Sequence, residues 1–213
     1  MNHDPKAKAS GNIATSRMDL RLIANMVATQ SRVLDIGCGN GDLLHLLSTQ
    51  YQVDARGLEL SQKGVNACVS RGLAVVQGNA DKDLSYYPDK GFDTVILSQT
   101  LQATQHPREV LQEMARIGGR LIVSIPNFGH WRVRLQLLTH GRMPITSTLE
   151  TQWYETANIH LCTLADFTDL CQDLSLEVEQ SITLNGKGGV NHYASAPPAH
   201  QNLWAELAVF VLG

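Results

Sequence analysis

The sequence predicts an α/β fold built on a doubly wound, mostly parallel sheet of seven strands. Strand-like and helix-like segments alternate from residue 17 to residue 126, the pattern of parallel strands joined by crossing helices. "FDTVILS", residues 92–98, is nearly all apolar at its centre, as a strand buried on both faces should be. "VLDIGCGNG", residues 33–41, sets three glycines at every second position behind an aspartate, where a run of β-formers gives way to an apolar helical pattern.

Each element has its own signal. Residues 17–29 carry apolar side chains at 18, 22, 23, 26 and 27, which is helical spacing. Strand one covers 32–36 and a helix follows over 42–49. Strand two covers 53–60; Ser61 caps the next helix, which Gly72 ends. Strand three is 73–77, "GNADKDLSYYPDKG" is a turn-rich loop, and strand four is 92–98. Pro107 suits the first turn of a helix that puts Val110, Leu111, Met114 and Ile117 on one face. "RLIVSIP" is strand five, closed by Pro126.

The last third is less regular. "WRVRLQLL" alternates like a strand, yet it stands where the βα order calls for a helix, and we read a helix. Residues 163–174 open on Thr-x-x-Asp, a relative of the capping box, with Phe167, Leu170, Cys171 and Leu174 on one face. "LEVEQSITL" reads as a half-exposed strand, "GKGGVNHYASAPP" as a mobile loop within a long connection over 185–201, and "LWAELAVFVL" as the final strand. No polar linker divides the chain, so residues 17–213 read as a single domain behind a flexible leader, residues 1–16. That leader lacks the apolar core of a secretory signal, which leaves the cytoplasm as the expected compartment.

A net charge of -3 argues against general nucleic-acid or membrane-surface binding. No apolar run approaches the ~20 residues that span a bilayer. Cys38, Cys68, Cys162 and Cys171 form no CxxC pair and no scaffold spacing, so we expect reduced thiols and no metal site.

A strand, a glycine turn and a helix N-terminus together present backbone N–H groups to a ligand, beyond the carboxyl end of a strand where open α/β sheets bind. The spacing Gly37-x-Gly39-x-Gly41 is neither the dinucleotide G-x-G-x-x-G nor a P-loop. With Asp35 ahead of it, it resembles motif I of class I S-adenosylmethionine-dependent methyltransferases. That ligand has an ammonium, a carboxylate and a cationic sulfonium, and no phosphate. A tight βα turn without a ligand explains one or two glycines, but poorly explains three with an aspartate. The resemblance implies a Rossmann-like sheet with an antiparallel last strand, and cofactor contacts from Asp35, Gly37, Cys38, Gly39, Gly41, Glu59, Leu60, Asn79, Ala80, Asp81 and Ser98. Glu59, at the end of strand two, either accepts the ribose hydroxyls or serves as a favourable charge at the start of the next helix. Asn79 stands where the pattern usually has Asp, and its amide both donates and accepts. Asp81 is either an adenine-side group or a solvated loop charge.

"SQTLQATQHPREVLQEM", "PNFGHWRVRLQLLTHGRMP", "QWYETANIHLCTLADF" and "NLWAELAVFVL" extend the likeness. These segments resemble the methionine biosynthesis protein MetW family over residues 17–212, with a looser "GGR" before strand five. The resemblance implies a protein of the methionine pathway that binds S-adenosylmethionine and acts with homoserine O-acyltransferase. It is either a methyltransferase for a small metabolite or a non-catalytic, S-adenosylmethionine-responsive partner of the acyltransferase. Methyl transfer is an in-line displacement that needs mainly alignment, so the acceptor side has only candidates. Gln99, Gln102, Asn127 and Trp131 are substrate-side, and His130, Tyr154 and His160 are candidates for proton chemistry. Each has a plain alternative in packing, capping or hydrogen bonding. Arg132, Arg134, His140 and Arg142 form either a solvated helix face or a docking patch for an acidic partner.

Overall fold

The computed structural model describes residues 18–146, 149, 151–186 and 188–213. The predicted leader and Arg17, where the first helix was expected to begin, lie outside the described residues, as does Lys187 of the expected loop. The strands are β1 (Arg32–Ile36), β2 (Asp54–Glu59), β3 (Ala74–Gln77), β4 (Phe92–Ser98), β5 (Gly118–Pro126), β6 (Val178–Leu184), β7 (Val190–Tyr193) and β8 (Leu207–Leu212). They form one sheet in the order β3-β2-β1-β4-β5-β8-β6-β7. β1 to β5 are parallel, with Leu34 opposite both Arg56 and Val95. β8 runs antiparallel between β5 and β6, with Val211 opposite Ile122.

The doubly wound parallel sheet and its antiparallel last strand are as expected, but the sheet has eight strands rather than seven. The eighth, β7, lies in the stretch read as a loop. Its four residues pair antiparallel along the outer edge of β6, from Leu184 opposite Val190 to Ser181 opposite Tyr193. Glycines precede it and only two of its residues are large and apolar, so its sequence carries no strand periodicity. The last strand is also shorter than read: Gln201–Trp204 form a helical turn, and pairing begins at Leu207.

The helices are α1 (Met18–Asn25), α2 (Asp42–Gln50), α3 (Gln62–Ser70), α4 (Pro107–Ile117), α5 (Trp131–His140), α6 (Leu164–Asp173) and α7 (Gln201–Trp204). Ser61 caps α3 by accepting the Gly64 N–H at 3.0 Å. Thr163 and Asp166 close a reciprocal capping box on α6, which satisfies two donors that the first turn leaves without helical partners. The ambiguous "WRVRLQLL" is helical, and Gly141, at φ +59°, ends it.

Apolar layers cover both faces of the sheet. Leu34, Leu97, Leu111, Met114 and Phe167 pack on one, with the Phe167 ring tilted against Phe210 at 4.6 Å between centroids. Ile23, Val33, Leu44, Leu47 and Ile96 pack on the other. The two layers bury β1 and β4 on both faces, and the glycine turn lies at the carboxyl end of β1. Among the described residues no helix is long and apolar enough to cross a membrane.

Candidate functional site

Strand order reverses at β1, whose neighbours are β2 on one side and β4 on the other. Connections leave in opposite directions there and open a crevice beyond the strand ends. The glycine turn occupies it. Gly37, Gly39 and Gly41 have φ of +73°, +56° and +78°, a region that costs side-chain-bearing residues roughly 1–2 kcal/mol each. The turn is tied to β2 by the Gly37 and Cys38 N–H groups, which donate to the Leu58 carbonyl at 2.7 and 3.3 Å.

The three glycines differ in what faces them. A Cβ on Gly37 would lie 2.5 Å from Thr100 Cγ2, and one on Gly41 would lie 2.5 Å from Leu73 Cδ1 and 2.8 Å from Cys68 Sγ. A Cβ on Gly39 would meet nothing within 4 Å. Gly37 and Gly41 are bare because protein packs against them, whereas Gly39 alone is bare toward open space. The Cys38 side chain turns inward, 4.0 Å from Cys68 Sγ, and burial pushes its thiol pKa well up.

Asp35 is 2% exposed, and its Oδ1 has no hydrogen-bond partner. Burial, and then the neighbouring Glu59 charge, push its carboxyl up to about 8. A buried carboxylate oxygen without a partner is costly, and this one belongs to the end of β1, just before the glycines. Glu59 is fixed at the turn's edge: Oε2 accepts the Gly39 N–H at 2.9 Å and Oε1 accepts the Ser61 N–H at 2.8 Å. It therefore serves the start of α3, and each oxygen keeps a further lone pair. Gly64, which the sequence reading did not single out, makes this possible, since a Cβ there would lie 2.8 Å from both Glu59 Cγ and the Gly39 carbonyl oxygen. Leu60, beside Glu59, is 65% exposed.

After β3, Asn79 folds the loop: its Oδ1 accepts the Asp81 N–H at 2.8 Å, and its N–H donates to Asp83 Oδ2 at 2.6 Å. Ala80 packs against the core. Asp81 Oδ1 accepts the N–H groups of Gln105 and His106, both at 2.9 Å, and so anchors the entry to α4. After β4, Ser98 Oγ lies 3.2 Å from Ser124 Oγ. Gln99 sits at φ +49°, and its Nε2 donates to Asp19 Oδ2 at 2.7 Å. A non-glycine residue in that region is uncommon and clusters at functional sites. Asp19 is 4% exposed, with its carboxyl raised by burial and partly restored by Gln99. It escaped the sequence reading, and its only signal was an acid on the buried face of α1.

The acceptor-side candidates divide. Gln102 is buried, its backbone carbonyl accepts the Ile159 and His160 N–H groups at 2.8 and 3.0 Å, and its Oε1 lacks a partner. His160, exposed, has Nε2 3.3 Å from the Gln105 carbonyl, so Gln102, His160 and Asp81 gather around one loop. Asn127 makes all four hydrogen bonds its amide allows: it donates to the Asn202 and Ala205 carbonyls and accepts from Gly129 and Leu164. That clip joins β5 to α6 and α7. His130 caps α5, with Nδ1 accepting the Arg132 N–H at 3.4 Å, and burial lowers its pKa against the opposing Glu206 charge. Trp131 lies outside under the Arg132 guanidinium, 5.5 Å from its carbon. Tyr154, exposed, meets Trp153 edge to face at 5.6 Å. Among the described residues no cluster of His, Cys, Asp and Glu is placed to hold a metal ion.

The architecture is that of class I S-adenosylmethionine-dependent methyltransferases. A structure from Thermotoga maritima, described as an S-adenosylmethionine-dependent methyltransferase and possible histamine N-methyltransferase, superposes with a TM-score of 0.67 at 18% identity. The match covers 94% of this chain and 90% of that one. An S-adenosylmethionine-dependent methyltransferase from Archaeoglobus fulgidus gives 0.65 at 14% identity, over 94% and 92% of the two chains.

The chain belongs to the family described as methionine biosynthesis protein MetW, whose profile matches residues 17–212. The bifunctional methionine biosynthesis protein MetXA/MetW of Rhodopirellula baltica is 33% identical over 177 residues, 79% of this chain and 28% of that protein. The 27-O-demethylrifamycin SV methyltransferase of Amycolatopsis mediterranei is 34% identical over 119 residues, 51% of this chain and 43% of that enzyme. The chain thus spans less than half the length of either relative.

Proposed function

We propose that this MetW-family protein binds S-adenosylmethionine at the glycine turn and acts with homoserine O-acyltransferase as its S-adenosylmethionine-responsive partner. The observations that carry the cofactor reading are the buried Asp35 carboxyl, whose Oδ1 has no hydrogen-bond partner, two residues before the turn, and the open space that faces Gly39 within it. A cationic ligand supplies the counter-charge that the fold withholds, since an opposite charge favours ionisation where burial opposes it. In this reading Glu59 keeps its two backbone N–H bonds and takes the ribose hydroxyls on its remaining lone pairs. Leu60 and Ala80 offer apolar contact to the adenine, and Asn79, Asp81 and Ser98 shape the loops beside it. Gly37, Gly41 and the Cys38 backbone hold the turn in its ligand-binding form. The Rhodopirellula baltica relative supports the partnership, because its name joins MetXA and MetW in one protein, and we read the MetXA part as the acyltransferase. The whole reading places residues 17–213 in one cytoplasmic domain.

Calorimetric titration of the purified protein with S-adenosylmethionine tests it. Saturable binding is expected, weakened about 10- to 100-fold in Glu59→Ala, the effect of losing hydrogen bonds to a charged group. Heat that never saturates with the wild-type protein would end the cofactor reading.

A second reading, methyl transfer to a small acceptor, is favoured by Asp19. In this reading the buried Asp19 carboxyl, held by the Leu20 N–H and by Gln99 at the end of β4, would take the acceptor's proton. Around it Gln99 and Gln102 would hold the acceptor, with Asn127 positioning the end of β5. Incubation with methyl-labelled S-adenosylmethionine and cell metabolites decides it: label in a product that disappears in Asp19→Asn supports transfer, and no labelled product leaves the regulatory reading alone.

A further inference from the structure

α5 presents its apolar side to solvent. Of its ten residues only Val133 is buried. Trp131, Leu135 and Leu138 follow one another at spacings of four and three, which places them on one helix face, and they are 36%, 47% and 84% exposed. Met143 and Ile145 continue the exposed apolar surface past the helix end. A charged group borders the stripe on each flank: Arg132 lies over the Trp131 ring and pairs with Glu206 at 3.6 Å, and Arg134 donates its Nε–H to the Gly129 carbonyl at 2.6 Å. Between His130 and Ile145 the chain has three arginines and no acidic residue, on a protein whose net charge is -3.

We infer that α5 is a docking ridge that lays Trp131, Leu135 and Leu138 into an apolar groove with carboxylates along its rim, on the surface of the acyltransferase. The inference rests on the partnership proposed above and names the surface that makes it. Three anchors at i, i+4 and i+7 are the pattern of a helix received in a groove. A small-molecule site is concave, whereas this stripe is the outward ridge of a helix. A second copy of the chain is the wrong occupant, because a two-fold interface sets each patch against itself and would bring the arginines of both copies together. The mixture of a large aromatic, apolar residues and Arg, with no acid in the segment itself, is that of an interface core with a charged border. The bordering arginines set the sign of the partner's rim and speed encounter with it.

The test is binding of the full-length protein to purified homoserine O-acyltransferase, measured by surface plasmon resonance. The variants are Leu135→Glu with Leu138→Glu, and separately Arg142→Glu. All three substitutions are at exposed positions, so thermal unfolding and S-adenosylmethionine titration should match wild type. The double variant should weaken the complex at least about 100-fold, as loss of central anchors does. Arg142→Glu should slow association several-fold at low salt and flatten its salt dependence. Equal binding by wild type and the double variant overturns the assignment of α5 while the partnership stands. No binding by wild type overturns the partnership itself. Self-association through α5, or recruitment to anionic phosphatidylserine vesicles that the double variant abolishes, assigns the ridge to another occupant and overturns the inference.

Discussion

Asp35→Asn should abolish the coupling between S-adenosylmethionine binding and proton release while leaving the fold intact. In the wild-type protein the Asp35 carboxyl is pushed up to about 8 by burial and by Glu59, against about 3.9 in an unfolded chain. The native state therefore holds this proton over a range in which the unfolded state has lost it. Asp35 stabilises the ligand-free protein most below about pH 4, and that contribution falls as pH rises toward about 8 and is then fully lost. A cationic ligand next to the carboxyl reverses the preference. At pH 7 binding should release about one proton per site, and affinity should tighten as pH rises from 6 to 8. Calorimetry in two buffers of different ionisation enthalpy measures the release directly. Asp35→Asn is uncharged throughout, so it should release none, bind about 10- to 100-fold more weakly, and unfold at pH 8 no more easily than wild type. A variant that binds normally, or a wild type that releases no proton, would remove Asp35 from the site.

That expectation separates what the residues disclose locally from what only the assembled fold discloses. β1, β4 and the turn between β1 and α2 were readable because buried strands need continuous apolar runs and the turn needs glycine. α5 was ambiguous for a physical reason: with Val133 alone buried, it has no stripe toward the core, and its apolar residues follow an outward face instead. β7 was unreadable because pairing with the edge of β6, rather than burial, holds it in place. Asp19 meets Gln99 across eighty positions of sequence, and no local pattern reports such a pair. Asn127 illustrates the same limit from the other side. Its position after β5 suggested a ligand contact, yet its partners lie at Gly129, Leu164, Asn202 and Ala205, so the amide closes the fold. The glycine motif was legible as a whole, but the division of labour within it was not.

That division makes the sharpest mutational contrast available in this protein, between Gly39→Ala and Gly41→Ala. Both positions are left-handed, at φ +56° and +78°, so both substitutions carry a backbone cost of roughly 1–2 kcal/mol. They differ in where the methyl goes. At Gly41 it would lie 2.5 Å from Leu73 Cδ1 and 2.8 Å from Cys68 Sγ, and forcing atoms into a packed region adds about 1–3 kcal/mol. Gly41→Ala should thus lower stability by about 2–5 kcal/mol in denaturant melts, while the molecules that remain folded bind S-adenosylmethionine nearly normally. Adding Leu73→Ala should return part of the loss, since residues that clash are coupled rather than additive. At Gly39 the methyl meets no protein atom within 4 Å, so the stability cost stops at the backbone share. It would instead stand on the face where the proposed cofactor lies, and affinity should fall at least about tenfold, or ~1.4 kcal/mol. If Gly39→Ala binds like wild type, the open face is not where the ligand lies, and Gly39 is glycine for its backbone angle alone.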